Sequence, residues 1–445
     1  MDRNRGREEA WSEARAEGRL RSLELFGMRF GLDRMRRMMT ALGSPERAYD
    51  TIQVLGTNGK TSTTRMTAAI LQRHGLLTGA YTSPHLIGYR ERILIDGREL
   101  DAASFSAAIA RADRAAEQVN RTLADDDHVT QFELLTAAAL WELARHGVQV
   151  GVVEAGLGGR YDATSVVAAA VTVLTNVGLE HTRWLGPTIT DIAEEKLAVV
   201  RPGATLVLGE GLAPEALVVA ERVATERDAE IITASPLDAK LGVAARGPFQ
   251  RRNFAVARAA AEAYLGGAGI ELDEQAVRDA ALATEVRGRL QVVGEHPLTV
   301  VDGAHNPDAV TALVEAMDDV FGGIPPALVM GVLEDKDAAG MLRLLLPACS
   351  RAWFTAPPGD RALSPAALES QARQLGFLDT ICEPRPERAL RDAREWAAAN
   401  GAGVLATGSV YLVGEILGLL GEHHIDSPGP DTAVLDAGRG GGAGR

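Results

Sequence analysis

The sequence predicts an α/β protein of two domains, each built on a mainly parallel sheet. Short β-rich apolar runs alternate with longer helical patterns along the 445 residues, the order that parallel strands with right-handed crossovers produce. That alternation breaks at TEVRGRLQVVGEHP (284–297), which places a domain boundary at about residue 288. Conspicuous polar clusters follow five strand candidates directly, and ligands of open α/β sheets sit beyond the carboxyl ends of strands.

The strand candidates in order are TIQVL (51–55), VQVGVVEA (148–155), VTVLT (171–175), TLVLG (205–209), LTVVD (298–302), ALVMGVL (327–333), AWFTA (352–356) and GVLAT (403–407), with GAYT as a short strand before TSPHL. Residues 1–20, charged throughout, read as a frayed or helical extension. Residues 21–287 form the first domain and 288–425 the second. Residues 426–445, rich in Gly, Pro and Asp, read as a disordered tail.

Composition narrows the options. Hydrophobic residues make up 46% and charged residues 24%, the balance of a globular chain with a full core. The net charge of −14 argues against nucleic acid or an anionic membrane as the main partner. No apolar run reaches membrane-spanning length, and the N-terminus lacks the apolar core of a secretory signal. Two cysteines, Cys349 and Cys382, are too few for a disulfide framework or a zinc site and fit a reducing cytoplasm.

The stretch VLGTNGKTSTT (54–64) follows the first strand and opens a helix. Its end, Gly59-Lys60-Thr61, fits the phosphate-loop pattern, but Val54 stands where the first glycine belongs. Gly56, Thr57, Asn58, Gly59 and Ser62 complete a compact loop, with backbone N–H groups and a helix N-terminus available to an anion. Lys60 would reach the β- and γ-phosphates, and Thr61 would offer its hydroxyl to Mg²⁺. Glu154 closes the second strand candidate, as a carboxylate near phosphate-bound Mg²⁺ should. At about 100° per residue, Lys196 falls on the apolar face of its helix with Ile192, Ala193, Val199 and Val200. A charge there is costly unless the stem snorkels.

These strings bear a resemblance. GTNGKT resembles the ATP loop of the Mur ligase superfamily. VVEAGLGGRYDATSVV (152–167), TNVGLEHTRWLGPTITDIAEEKLAVVRPG (175–203), TSPHLIGYRERILIDG (82–97) and VDGAHNP (301–307) resemble signatures of its folylpolyglutamate synthases and dihydrofolate synthases. Departures are Tyr161, Ser165, Glu180, Phe249, Phe254 and Gln291. The resemblance runs from about residue 22 to 420.

It implies a P-loop ATPase domain with a mainly parallel sheet and a smaller Rossmann-like C-terminal α/β domain. It implies ATP and two Mg²⁺ ions, one held by Thr61, Ser83 and Glu154, the other by His181 and a carbamylated Lys196. An uncarbamylated ammonium about 4 Å from Mg²⁺ would meet roughly 8 kcal/mol of repulsion at an effective dielectric of 20. Asn253 would approach the adenine, Arg289 the phosphates, and Asp302 and His305 the ribose and phosphate side of ATP. Lys60, Lys196 and His181 carry the catalytic expectation. QFELLTAAAL (131–140) matches a family helix in which Phe132 and Glu133 read as packing and capping residues. The folate end would lie near residues 26–45, where Phe30, Leu32, Met35 and Met38 make an apolar stripe that also reads as an amphipathic core helix. The second-domain DKD (335–337) could line a glutamate pocket.

The implied activity is ligation of L-glutamate to a folate or pteroate carboxylate through an acyl phosphate, by a cytoplasmic monomer. Two alternatives stand beside it. A peptidoglycan Mur ligase carries a UDP-sugar domain ahead of the ATP domain, and only 55 residues precede Gly56. A non-catalytic P-loop nucleotide-binding protein is the other; a guanine switch would show N-K-x-D, which is absent.

Overall fold

The computed structural model describes residues 10–23 and 31–421. Two sheets divide the chain. The first holds β1 (Asp50–Leu55), β2 (Thr78–Tyr81), β3 (Ile93–Ile95), β4 (Arg98–Glu99), β5 (Val150–Glu154), β6 (Val171–Leu174), β7 (Thr205–Leu208) and β8 (Glu230–Thr233). Their spatial order is β4-β3-β2-β5-β1-β6-β7-β8. Pairing is parallel from β2 to β8 and antiparallel for β2–β3 and β3–β4. The second holds β9 (Gln291–Glu295), β10 (Leu298–Val301), β11 (Ala327–Met330), β12 (Arg351–Phe354), β13 (Thr380–Cys382) and β14 (Val404–Thr407). Its order is β13-β12-β11-β14-β10-β9, antiparallel only at β9–β10.

Central strands such as β1, β5 and β11 are buried on both faces, which is why they read as continuous apolar runs. Helices cover both sides of each sheet. Helix Lys60–Arg73 packs on helix Pro248–Gly267 over one face of the first sheet, burying Met66, Ile70, Phe254 and Leu265 among others.

Two arrangements place the site. In the first sheet β1 lies between β5 and β6, so the turns after all three leave side by side. In the second, β14 lies between β11 and β10, with the same result. The residues that follow these strands line one shared cleft of about 800 Å³.

Of the two readings of residues 1–20, frayed or helical, the structure has the helix where the chain is described. Helix Glu13–Arg21 buries Ala16 and Leu20 completely. Arg19 is paired with Asp113 at 2.7 Å, and Gln131 Nε2 donates to the Leu20 carbonyl. Spacing of four puts Ala16 and Leu20 on one face, a stripe too narrow to stand out among the surrounding charges. Residues 1–9 and the 426–445 tail lie outside the described residues. Of the 26–45 stripe, Phe30 also lies outside them. Met35 and Met38 are fully buried core residues, and Leu32 is half-buried.

Candidate active site

The phosphate loop is shaped by its neighbours. Gly56 has φ +146°, and a Cβ on it would lie 1.9 Å from Thr175 Oγ1. Gly59 has φ +81°, and a Cβ there would lie 2.4 Å from Asn253 Oδ1. Both therefore need to be glycine. Asn176, just after β6, accepts from the Thr57 and Asn58 amides through Oδ1 at 3.1 and 2.8 Å. Thr175 Oγ1 donates to the Asn58 carbonyl at 2.7 Å. Thr57 Oγ1 accepts from the Gly178 amide at 2.9 Å. The Thr57 and Asn58 amides hold the loop's shape, and both residues line the cleft together with Gly59, Lys60, Thr61 and Ser62. Asn176 is the residue sequence reasoning underused; its place at a strand end was the available signal.

Lys60 Nζ donates to the Gly56 and Thr57 carbonyls, both at 3.0 Å. Beside it, Thr61 Oγ1 donates to both oxygens of Glu154 at 2.9 Å, and the Ser83 amide donates to Glu154 Oε2 at 2.9 Å. The structure thus gathers Thr61, Ser83 and Glu154 at one point. Burial pushes the Glu154 carboxyl up to about 7, against the pull of Lys60, the Ser83 amide, Thr61 and Arg289. One carboxylate with hydroxyls, open to phosphate oxygens and water, is the donor set Mg²⁺ prefers. A proton and a cation compete for that carboxylate. The expected result is that thermal stabilisation by ATP with sub-saturating Mg²⁺ grows as pH rises through about 7. Glu154→Gln should lose that growth; an unchanged pH profile in the variant would exclude Glu154 as the ligand.

His181 lines the cleft. Burial, helped by the nearby lysines and opposed by Glu180, brings its pKa down to about 4, so its ring is neutral, the form that binds metals. Lys196 lies buried behind the phosphate loop, sharing the Gly56 carbonyl with Lys60. It is 2% exposed, and its amine donates to the Leu157 carbonyl at 2.8 Å and the Gly56 carbonyl at 3.1 Å. Burial first, then Lys60, brings its pKa down to about 7. Among the described residues, no three His, Cys, Asp or Glu side chains form a metal cluster.

The second domain supplies the opposite wall. Arg289 lines the cleft, its guanidinium against Gly303, where a Cβ would lie 2.1 Å from Nη1. Asp302 is buried and accepts from the Leu290 and Ala304 amides at 2.9 and 2.8 Å. It shapes the turn that carries Arg289 and His305. Burial raises its carboxyl, with Arg289 opposing. Asn253, on the first-domain helix Pro248–Gly267, also reaches the cleft, anchored by Nδ2 to Gln250 Oε1 at 2.9 Å.

The domains meet through apolar packing of Leu86 and Ile87 on the second-domain core and through polar contacts. Asn58 and Asn306 exchange two amide hydrogen bonds at 3.0 and 3.3 Å. Glu180 faces Lys336 Nζ at 2.8 Å and His305 Nε2 at 3.3 Å. Burial alone would raise the Glu180 carboxyl; His305 and Lys336 together hold it well below the usual range. Glu133 closes a capping box with Thr130 and pairs with buried Arg34, while Phe132 lines the cleft and packs on Gly156.

A glycine loop between strand and helix, a buried carboxylate beside its lysine and an arginine facing them from a second α/β domain are the arrangement of an ATP-dependent ligase of the Mur type. Residues 54–205 match the Mur ligase middle domain, and residues 288–410 match the Mur ligase glutamate ligase domain. Folylpolyglutamate synthase of Lacticaseibacillus casei is 34% identical over 407 residues, covering 86% of this chain and 93% of that protein. The folylpolyglutamate synthase of Mycobacterium tuberculosis, solved with ADP and AMPPCP, superposes with a TM-score of 0.85 at 31% identity, covering 92% of this chain and 99% of the other. The bifunctional folylpolyglutamate synthase/dihydrofolate synthase of Yersinia pestis, solved with AMPPNP and a Mn ion, gives 0.79 at 31% identity, covering 92% and 98%. The chain belongs to the folylpolyglutamate synthase/dihydrofolate synthase family, whose members are ATP-dependent glutamate ligases.

Proposed function

We propose that this enzyme ligates L-glutamate to dihydropteroate, to tetrahydrofolate and its glutamates, or to both, as a cytoplasmic monomer using two Mg²⁺ ions. The observation that carries the reading is the Thr61–Ser83–Glu154 cluster beside Lys60, with Arg289 across the cleft.

A carboxylate is a poor electrophile, so it is activated first. An oxygen of the folate carboxylate attacks the γ-phosphorus of ATP; the bond to the β-phosphate oxygen breaks and ADP leaves. The amine of glutamate then attacks the acyl carbon, loses a proton, and the tetrahedral intermediate expels phosphate. Lys60 and Arg289 are placed to offset charge spread over the transferring phosphoryl oxygens. Glu154, Thr61 and Ser83 would hold one Mg²⁺, which supplies further neutralisation when bound. His181, with a carbamate on Lys196, would hold the second. Asn253 would face the base, and His305 and Asp302 the ribose and phosphate side.

The test is ATP-dependent phosphate release with L-glutamate, run separately with dihydropteroate and with tetrahydrofolate. Amide product with either acid is the expected result. Product with neither, together with activity on a UDP-sugar peptide, would transfer the chain to the peptidoglycan ligases. ATP binding without any amide product would leave a nucleotide-binding protein.

A further inference from the structure

The loop after β6 touches both halves of the molecule. Its first residues shape the phosphate loop, through Asn176 on the Thr57 and Asn58 amides and through Gly178 on Thr57. Its later residues meet the second domain. Gly178 is bare against Asp308: a Cβ there would lie 2.1 Å from Asp308 Oδ2. Two residues on, the Glu180 carboxylate receives Lys336 Nζ and His305 Nε2, both from the second domain. The Glu180 and Lys336 side chains are only 10% and 12% exposed, so this contact is largely withdrawn from water.

Lys336 is delivered by a fixed turn. Leu333 bridges Ala362, and the Lys336 amide donates to the Leu333 carbonyl at 3.1 Å. His305 is set by its Nδ1 contact with the Gly303 carbonyl at 2.9 Å. Glu180 is thus a single carboxylate meeting two preset side-chain nitrogens of the other domain, and the contact exists only when the domains are together. An interaction made in one arrangement and not in another shifts the population toward the first.

We propose that Glu180 is a positioning residue that holds the second domain closed over the cleft by drawing Lys336 and His305 onto the loop that shapes the phosphate site. This rests on the acyl-phosphate reading above. Closure matters to that chemistry because water competes with glutamate. Water attacking the acyl carbon expels phosphate and returns the original carboxylate, so ATP is spent with no amide formed. The signature of a failed latch is therefore uncoupling, measured as phosphate released per amide made.

The experiment measures that ratio, with thermal denaturation, in the full-length enzyme. Glu180→Gln keeps shape and removes charge; the ratio is expected to rise by at least about tenfold, as when half of a desolvated charge pair is lost. Glu180→Asp keeps the charge and is expected to return the ratio toward that of the parent. Lys336→Met removes the contact from the other side and carries the same expectation as Glu180→Gln should that variant not fold. A parent-like ratio in Glu180→Gln, whatever its thermal stability, overturns the proposal, as does equal uncoupling in the Asp and Gln variants. No amide from the parent itself would overturn the acyl-phosphate reading as well.

Discussion

Lys60→Met is expected to lower kcat/KM for ATP-dependent amide formation by about 10²–10³-fold, the loss seen when one aimed donor to a charged transition state is removed. The reason lies in the loop's geometry. Lys60 opens the helix Lys60–Arg73, and its stem folds back so that the ammonium spans the Gly56 and Thr57 carbonyls. It therefore sits at the loop's mouth, within the same cleft as Thr61, Glu154 and Arg289. Methionine keeps the stem and deletes the charge. Lys60 is half-buried, so the folded state should lose little, and circular dichroism and thermal denaturation should stay close to the parent. A variant within a few-fold of parental kcat/KM would remove Lys60 from phosphoryl transfer.

Lys196→Ala is expected to reduce activity by about 100-fold, the upper end for groups that support a metal site. High bicarbonate should not restore it, whereas short carboxylic acids should partly do so. Two effects combine. The amine is the donor to the Gly56 and Leu157 carbonyls; Gly56 keeps its bond from Lys60, and the part-buried Leu157 carbonyl loses its side-chain donor, a loss of about 0.5–1.5 kcal/mol. The second effect is loss of the carbamate proposed on this lysine. Its formation needs a neutral amine, whose nitrogen bonds to the carbon of CO₂ and releases a proton. Burial brings the Lys196 pKa to about 7, so neutral amine is abundant at working pH, where an exposed lysine would have almost none. A carbamate nitrogen keeps one hydrogen, so one of the two carbonyl contacts is given up on modification. Labelling with ¹³C-bicarbonate and carbon NMR of the resting enzyme reads the carbamate directly. Full activity in Lys196→Ala would detach this lysine from the site.

Much of the architecture was legible because parallel strands buried on both faces are written as unbroken apolar runs. All eight principal strand candidates are strands, although VQVGVVEA and ALVMGVL are trimmed to Val150–Glu154 and Ala327–Met330. The strands outside that reading are β3, β4, β8, β9 and β13. They lie toward sheet edges and are mostly only partly buried; an edge strand needs only one covered face and leaves no continuous pattern. For residues 1–20 the sequence left fraying and helix as alternatives for a related reason: Ala16 and Leu20 bury among charged neighbours whose partners, such as Asp113, are distant in sequence.

The site divides along the same line. Local sequence determined the phosphate loop, because a strand, a glycine turn and a helix N-terminus are contiguous and their backbone geometry is set by short-range sterics. It also placed Glu154 and His181 at strand ends facing a cleft. Tertiary structure alone decided what each side chain touches. It spends the Thr57 and Asn58 amides on Asn176, Asp302 on two backbone amides, and the Lys196 amine on Gly56 and Leu157. It also brings Glu180 to Lys336, 156 residues away. Such pairings depend on how two sheets are set against each other, and hydrogen bonds and burial act over a few ångströms in space regardless of separation along the chain.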